Sequence, residues 1–472
     1  MSQGPLTHAF LQDDDRRLDD ILLWTCRYAS ALLADLDDRS VVGQPSRPAQ
    51  TLLPENGSGF AAALADFQSR WAPGFSASAG PRYLGFVTGG ATPASLAGDW
   101  LTSTFDQNPT SALDSSAPHL ERETVGWLRA LLGLPAEFEG AFVTGATMSN
   151  FVGLAIAREW VGEQRGLQVS GVGLAALGPV KVFSGAPHSS IYKALSMLGM
   201  GRQAVTRIPV MAGREAVDVS ALEAALKEGE GEAAIVVANA GTVNTVDFDD
   251  IAAIAELKTR YRFWLHVDGA FGAFAALSPD YAHWVAGMEL ADSVCVDCHK
   301  WLNVPYDSAV QFSRRPDLQV RVFQNSAAYL GLPGDEPDFV HLTPENSRRL
   351  RALAAWFALS AYGRAGHRDI VERNVDAARA LGRLIEGEPA LTLLAPVRMN
   401  VACFALSDDA SEAATQAFLK RVSDSGDVFL TPTVLNGTWA IRAAFSNWRT
   451  QREDVSKVFK AIQAALAPRA PR

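Results

Sequence analysis

The chain has 472 residues, 48% of them hydrophobic and 20% charged, a composition that supports a large folded core and excludes a disordered chain. Forty-two basic residues against 52 acidic ones leave a net charge of −10, so the positive field that draws nucleic acid or an anionic membrane surface is missing. At roughly 150 residues per domain the length allows two or three lobes, and four cysteines are too few for a disulfide scaffold.

The first residues, MSQGPLTHAFLQDDDRRLDD, show neither a basic region followed by an apolar one nor an Arg-rich transit pattern, which predicts a cytoplasmic protein. No window approaches about 18 uninterrupted apolar residues, so no membrane span is expected. Residues 15–37 place Leu18, Ile21, Leu22, Tyr28, Leu32 and Leu33 near a 3.6 period, the mark of an amphipathic helix. Pro45, Pro48 and Pro54 break the chain before AALADFQSRWA resumes the helical pattern.

From about Gly85 to Ser313, short apolar runs (AAIVVAN, RFWLHVD, DSVCVDC) alternate with helical segments such as SNFVGLAIAREWVGEQ and DDIAAIAELKTRYR. This alternation predicts a parallel or mixed sheet wrapped by helices. Residues 331–346, GLPGDEPDFVHLTPEN, read as a long loop at a functional element or domain junction. A long helix, SRRLRALAAWFALSAYGR, comes next. Strand-like LTLLAPV, VACFAL and TWAIRAAF then alternate with helix-like SEAATQAFLKRVSDS and REDVSKVFKAIQAAL, the pattern of a small α+β domain.

Reactive side chains are densest in DSVCVDCHKW, residues 292–301. Taken alone, Lys300 reads either as a solvated surface lysine or as an amine at the end of a buried strand, where desolvation lowers its pKa and suits it to Schiff-base chemistry. In FWLHVDGAFGAF the period of two sends His266 and Asp268 to the same face. Asp268 there is either a helix N-cap or the counter-ion of a buried cation such as a protonated pyridine. CVDCH also fits a haem-attachment or zinc pattern, but zinc lacks two further ligands and a strand turns Cys295 and Cys298 to opposite faces.

HVDGA followed by the His299–Lys300 pair resembles the pyridoxal-phosphate enzymes of fold type I, specifically the group II amino-acid decarboxylases of the aromatic-amino-acid and glutamate decarboxylase type. PRYLGFVTGGATPASLAGDW, TGATMSNFVGL, PHSSIYKA, AGTVNTVDFDDI and IRAAFSNWRTQREDV are similar to that family in the same order. The resemblance implies an aspartate-aminotransferase-like α/β fold: an N-terminal helical dimerisation segment (1–80), a large cofactor-binding domain with a mostly parallel seven-stranded sheet (81–330), and a loop, helix and small α+β domain (331–472).

It also implies pyridoxal 5'-phosphate as cofactor and a homodimer with shared active sites. Lys300 would form the Schiff base with the cofactor aldehyde, Asp268 would pair with the pyridinium nitrogen, and His188 and Ala270 would cover the two ring faces. Ala146 and Thr147 would hold the phosphate at a helix N-terminus, with Ser293 and His299 as further neighbours. Arg442 and the apolar Phe86 and Val87 would face the substrate, an L-amino acid converted to amine and CO2. The resemblance leaves open a decarboxylating aldehyde synthase, a transaminase, a carbon–carbon lyase, or a non-enzymatic binding relative.

Two positions depart from the family pattern. The loop of residues 331–346 lacks the tyrosine that usually donates a proton to Cα; the nearest candidates are Tyr329 before it and Tyr362 well after, with Phe339 or His341 filling the space. In AGTVNTV, Val243 stands where a second threonine is usual, leaving Thr242 and Asn244 for the cofactor's ring hydroxyl or the substrate.

Overall fold

The structure, a computed structural model, describes residues 8–43, 49, 51–229, 231–325 and 336–466. The three apolar runs form the middle of a seven-stranded sheet. Its strands in chain order are β1 (Glu139–Val143), β2 (Val182–Ser184), β3 (Val205–Arg207), β4 (Ala234–Asn239), β5 (Phe263–Asp268), β6 (Ser293–Asp297) and β7 (Ala309–Ser313). They lie in the order β1-β7-β6-β5-β4-β2-β3, and β7 alone runs against its neighbours, so the sheet is mostly parallel as expected. Every residue of β4, β5 and β6 is buried, because helices cover both faces and leave no place for polar alternation.

One covering helix, Ala146–Gln164, is apolar nearly all round and inserts Ser149, Asn150, Val152 and Gly153 into the interior. A second sheet is fully antiparallel: β8 (Leu391–Leu393), β9 (Val401–Leu406), β10 (Thr431–Leu435) and β11 (Thr438–Ala444), in the order β10-β11-β9-β8. Helices Glu412–Ser425 and Arg452–Leu466 pack on it. A helical segment, Ala352–Glu386, kinked at Gly363 where φ turns positive at 56°, joins the two lobes. Its first turns enter the core of the large sheet through Ala355 and Ala358, and its last turns enter the small core through Leu381 and Ile385.

The N-terminal helices Ala9–Arg16, Leu18–Ala34 and Gly59–Arg70 bury none of their residues, and Leu18 and Leu22 of the apolar stripe lie open. Among the described residues no helix is long and apolar enough to cross a membrane.

Candidate active site

At the carboxyl ends of β4, β5 and β6, the side chains of Asn239, Asp268 and Asp297 line one cavity of about 480 Å³. The ends of parallel strands are where backbone turns away and room for a ligand opens. Residues 145–147, His188, Lys300 and Arg442 close the cavity, with Phe86 and Tyr306 at its mouth.

Lys300 sits in a short helix, Cys298–Trp301, that starts directly where β6 stops. The change from a period of two to a helical turn brings Lys300 back over Asp297, and Nζ lies 2.7 Å from Oδ2. Burial alone would lower the lysine's pKa, yet the Asp297 carboxylate outweighs it and raises the ammonium above its usual value. The expectation that desolvation lowers this pKa is therefore corrected. The other Asp297 oxygen accepts the Ala146 N–H at 2.7 Å, which caps the helix Ala146–Gln164. Gly89 lets a neighbouring strand of chain close over the lysine: a Cβ there would lie 1.9 Å from the Lys300 carbonyl oxygen.

Asp268 is buried at the end of β5, where Asn150 donates to its Oδ2 at 3.0 Å and the Ala270 N–H to its Oδ1 at 3.2 Å. His188 caps the helix Ser189–Met197, with Nδ1 2.8 Å from Ser190 Oγ, and surrounding protein pushes its pKa down. His299 donates from Nδ1 to the Ser308 carbonyl at 3.1 Å, and its ring lies 4.3 Å from that of Tyr306. Tyr306 in turn exchanges a hydrogen bond of 2.9 Å with Thr88.

Arg442, on β11, brings a charge from the small lobe into the cavity. It is 8% exposed, its Nε has no hydrogen-bond partner, and no carboxylate pairs with it among the described residues. Burial lowers its pKa, the signature of a cation held without a counter-ion.

A family model for the pyridoxal-dependent decarboxylase conserved domain matches residues 45–407. The chain belongs to the pyridoxal-dependent decarboxylase family. It is 28% identical over 399 residues to an aromatic-L-amino-acid decarboxylase of Bacillus atrophaeus, covering 81% of each chain. To the aromatic-L-amino-acid decarboxylase of Drosophila melanogaster it is 30% identical over 361 residues, 73% of this chain and 69% of the relative. Its fold matches the crystal structure of Oryza sativa TDC with PLP and tryptamine at a TM-score of 0.88 and 22% identity, over 98% of this chain and 99% of that one. The decarboxylase is thus a carboxy-lyase of fold type I that uses pyridoxal 5'-phosphate.

The cavity suits that cofactor. It combines a buried amine, a buried carboxylate 32 residues earlier in the chain (300 − 268) and the N-terminus of a 19-residue helix, the donor set that an aldehyde, a pyridine nitrogen and a phosphate require. Ala146, Thr147, His188, Thr242, Asp268, Ala270, His299, Lys300, Phe86, Val87 and Arg442 all line it.

Other expected residues lie outside the lining or have their polar groups engaged. Ser293 is buried at the start of β6, bonded to Trp264 and His266 and away from the cavity wall. Thr242 spends its hydroxyl proton on Glu215 at 2.7 Å, and Asn244 reaches across to Glu215, Thr433 and the Val434 carbonyl. Phe339 and His341 do not fill the space of the loop tyrosine in the cavity. Both are buried: Phe339 lies under the Arg122 and Arg348 guanidinium groups, and His341 accepts the Asn325 N–H. The Tyr362 hydroxyl accepts the Ala94 N–H, and Tyr329 lies outside the described residues.

Sequence reasoning missed Asp297, Tyr306 and Asn303. Asn303 adopts a left-handed φ of 54°, a conformation asparagine tolerates, and ties the Lys300 and Trp301 carbonyls to that of Ser446 in the small lobe. The acidic residue ahead of His299–Lys300 was the available signal for Asp297.

Proposed function

We propose that this decarboxylase converts an L-α-amino acid to its amine and CO2, with the substrate carboxylate held by Arg442. The unpaired, buried Arg442 guanidinium in the cavity that also holds Lys300 and Asp268 carries this reading. A desolvated cation without a counter-ion is costly in the free protein and pre-organised for an anionic substrate group, which its planar fork binds through two parallel hydrogen bonds. When bound, pyridoxal phosphate supplies the electron sink for the bond to the departing carboxylate.

Lys300 would hold the cofactor through Nζ, Asp268 would pair with the ring nitrogen, and His188 and Ala270 would cover the ring. Residues 145–147 would receive the phosphate at the helix N-terminus, and His299 is held in place through Ser308. Phe86, Val87 and Phe271 give the cavity an apolar side. Together with the aromatic substrates named for the relatives, they favour an aromatic or aliphatic amino acid. Tyr306 carries the one phenol among the described cavity residues and is the group we assign to deliver a proton to Cα.

The three N-terminal helices, which bury nothing within one chain, support a homodimer: Leu18 and Leu22 are more than half exposed, and a second copy would cover them. Light scattering should give twice the chain mass, and Leu22→Glu should reduce it to one.

An amino-acid panel scored for CO2, amine and aldehyde tests the function. CO2 with matching amine is expected, with Arg442→Leu raising KM by about tenfold or more while the fold persists. Tyr306→Phe should divert product toward aldehyde and ammonia in air, with one O2 consumed as the two-electron oxidant and one H2O2 formed per aldehyde. An unchanged KM in Arg442→Leu contradicts the carboxylate assignment.

A further inference from the structure

Behind Asp268 runs a string of buried polar side chains for which the proposed chemistry has no direct use. The Trp264 indole donates to Ser293 Oγ at 2.9 Å, and Ser293 Oγ lies 2.8 Å from His266 Nδ1. His266 Nε2 lies 2.8 Å from Asn150 Oδ1. Asn150 Nδ2 then forks, donating to Asp268 Oδ2 at 3.0 Å and to Ser190 Oγ at 3.1 Å. Ser190 continues to His188 Nδ1 at 2.8 Å.

Every proton in this string has one consistent place. A carboxylate only accepts, so Asn150 must turn its NH2 to Asp268 and its oxygen to His266. His266 therefore carries its hydrogen on Nε2 and accepts the Ser293 hydroxyl proton at Nδ1. Burial pushes the His266 pKa down to about 4, which keeps the ring neutral and the pattern intact at working pH. At the far end the Ser190 N–H also points at His188 Nδ1, so the Ser190 hydroxyl can donate there too and the His188 proton sits on Nε2.

Buried polar groups of this kind stabilise no more than apolar groups of the same shape, and a glycine in a helix interior is a cost. Yet the helix Ala146–Gln164 carries Gly153 at the point where a Cβ would lie 2.7 Å from Cε1 and 2.8 Å from Nδ1 of His266. The helix gives up a side chain to make room for the imidazole.

We propose that Asn150 and His266 are positioning residues of the decarboxylase: they clamp the Asp268 carboxylate in a single orientation toward the cofactor ring nitrogen and, through Ser190, fix the tautomer of His188. The inference rests on the proposed pairing of Asp268 with that nitrogen, and affinity for two cofactors separates the two claims. Pyridoxal phosphate and its 1-deaza analogue, which has CH in place of the ring nitrogen, are titrated into the cofactor-free protein and their dissociation constants compared.

The wild-type protein should prefer pyridoxal phosphate by about tenfold or more, since a charge-assisted hydrogen bond is at stake. Asp268→Ala should abolish the preference. Asn150→Ala should cut it to within about threefold, and Gly153→Ala, which displaces the His266 ring without touching Asp268, should lower it part of the way. Equal affinities in the wild type, or a preference that survives Asp268→Ala, would overturn the pairing of Asp268 with the ring and the relay with it. Loss of preference in Asp268→Ala alongside wild-type preference in Asn150→Ala would overturn the relay alone. If Asn150→Ala does not fold, an undiminished preference in Gly153→Ala has the same force.

Discussion

Asp297 binds the Lys300 ammonium at 2.7 Å while its other oxygen accepts the N–H of Ala146 at 2.7 Å. One carboxylate thus holds both the amine and the helix N-terminus proposed to receive the cofactor's aldehyde and phosphate. Because Asp297 is what raises the Lys300 pKa, Asp297→Asn should lower it. Each pKa unit removed gives about tenfold more free amine at any pH below the midpoint. Borohydride trapping of pyridoxal phosphate on cofactor-free protein, followed across pH, should therefore begin at lower pH in the variant. An unchanged profile contradicts the control assigned to Asp297.

Arg348 and Glu121 form an ion pair of 2.8 Å with both side chains wholly buried. Glu121 also accepts the Phe142 N–H at 3.0 Å, and Arg348 donates to the Phe142 carbonyl, so the pair anchors β1. Removing one partner leaves an uncompensated charge, and Arg348→Met should cost about 3–5 kcal/mol in denaturant melts. Adding Glu121→Leu should recover much of that loss. A single variant as stable as the wild type would show that the charge finds another partner.

Acid should weaken the fold through His266 and His367, whose pKa values burial depresses to about 4. The unfolded chain takes up their protons from pH 6.5 downward while the folded chain refuses them until about pH 4, so stability is lost as pH falls through that window. Asp249 acts in the opposite sense: burial raises it to about 6, so its contribution is lost as pH rises from 3.8 to about 6. Within this set of three groups the two histidines outweigh the carboxylate by about 4 kcal/mol between pH 6.5 and 4. His367→Leu should lose about 3 kcal/mol less across the same interval. A variant with the wild-type acid slope would remove His367 from the account.

Gly89→Ala should damage the site without altering a reactive group. The added Cβ would lie 1.9 Å from the Lys300 carbonyl oxygen, and the Gly89 N–H donates to the His299 carbonyl at 3.1 Å, so the two segments must part. Overpacking of this size costs about 1–3 kcal/mol. Cofactor affinity should fall by about tenfold or more, read from pyridoxal phosphate titration. Wild-type affinity would show that the segment yields freely.

The centre of the fold was legible because β4, β5 and β6 are covered on both faces and so read as unbroken apolar runs. The strands β2 and β3, three residues each, were too short to leave a pattern, and nothing local marks β7 as the one that runs backward. In the site, the period of two correctly put His266 and Asp268 on one side, where both meet Asn150. The same rule hid Asp297, because the strand yields to a helix at Cys298 and the i, i+3 neighbour of Lys300 becomes its ion-pair partner. Ser293 and Asn244 were misplaced for a different reason. Their partners Trp264, Glu215 and Thr433 come from distant chain segments, which a local motif does not register.

Borohydride reduction of the pyridoxal-phosphate-loaded decarboxylase, followed by peptide mass mapping, tests the central claim most directly. The account predicts one phosphopyridoxyl group per chain, on Lys300, and none in Lys300→Ala. A group found on another lysine, or equal labelling of the Lys300→Ala variant, would contradict it.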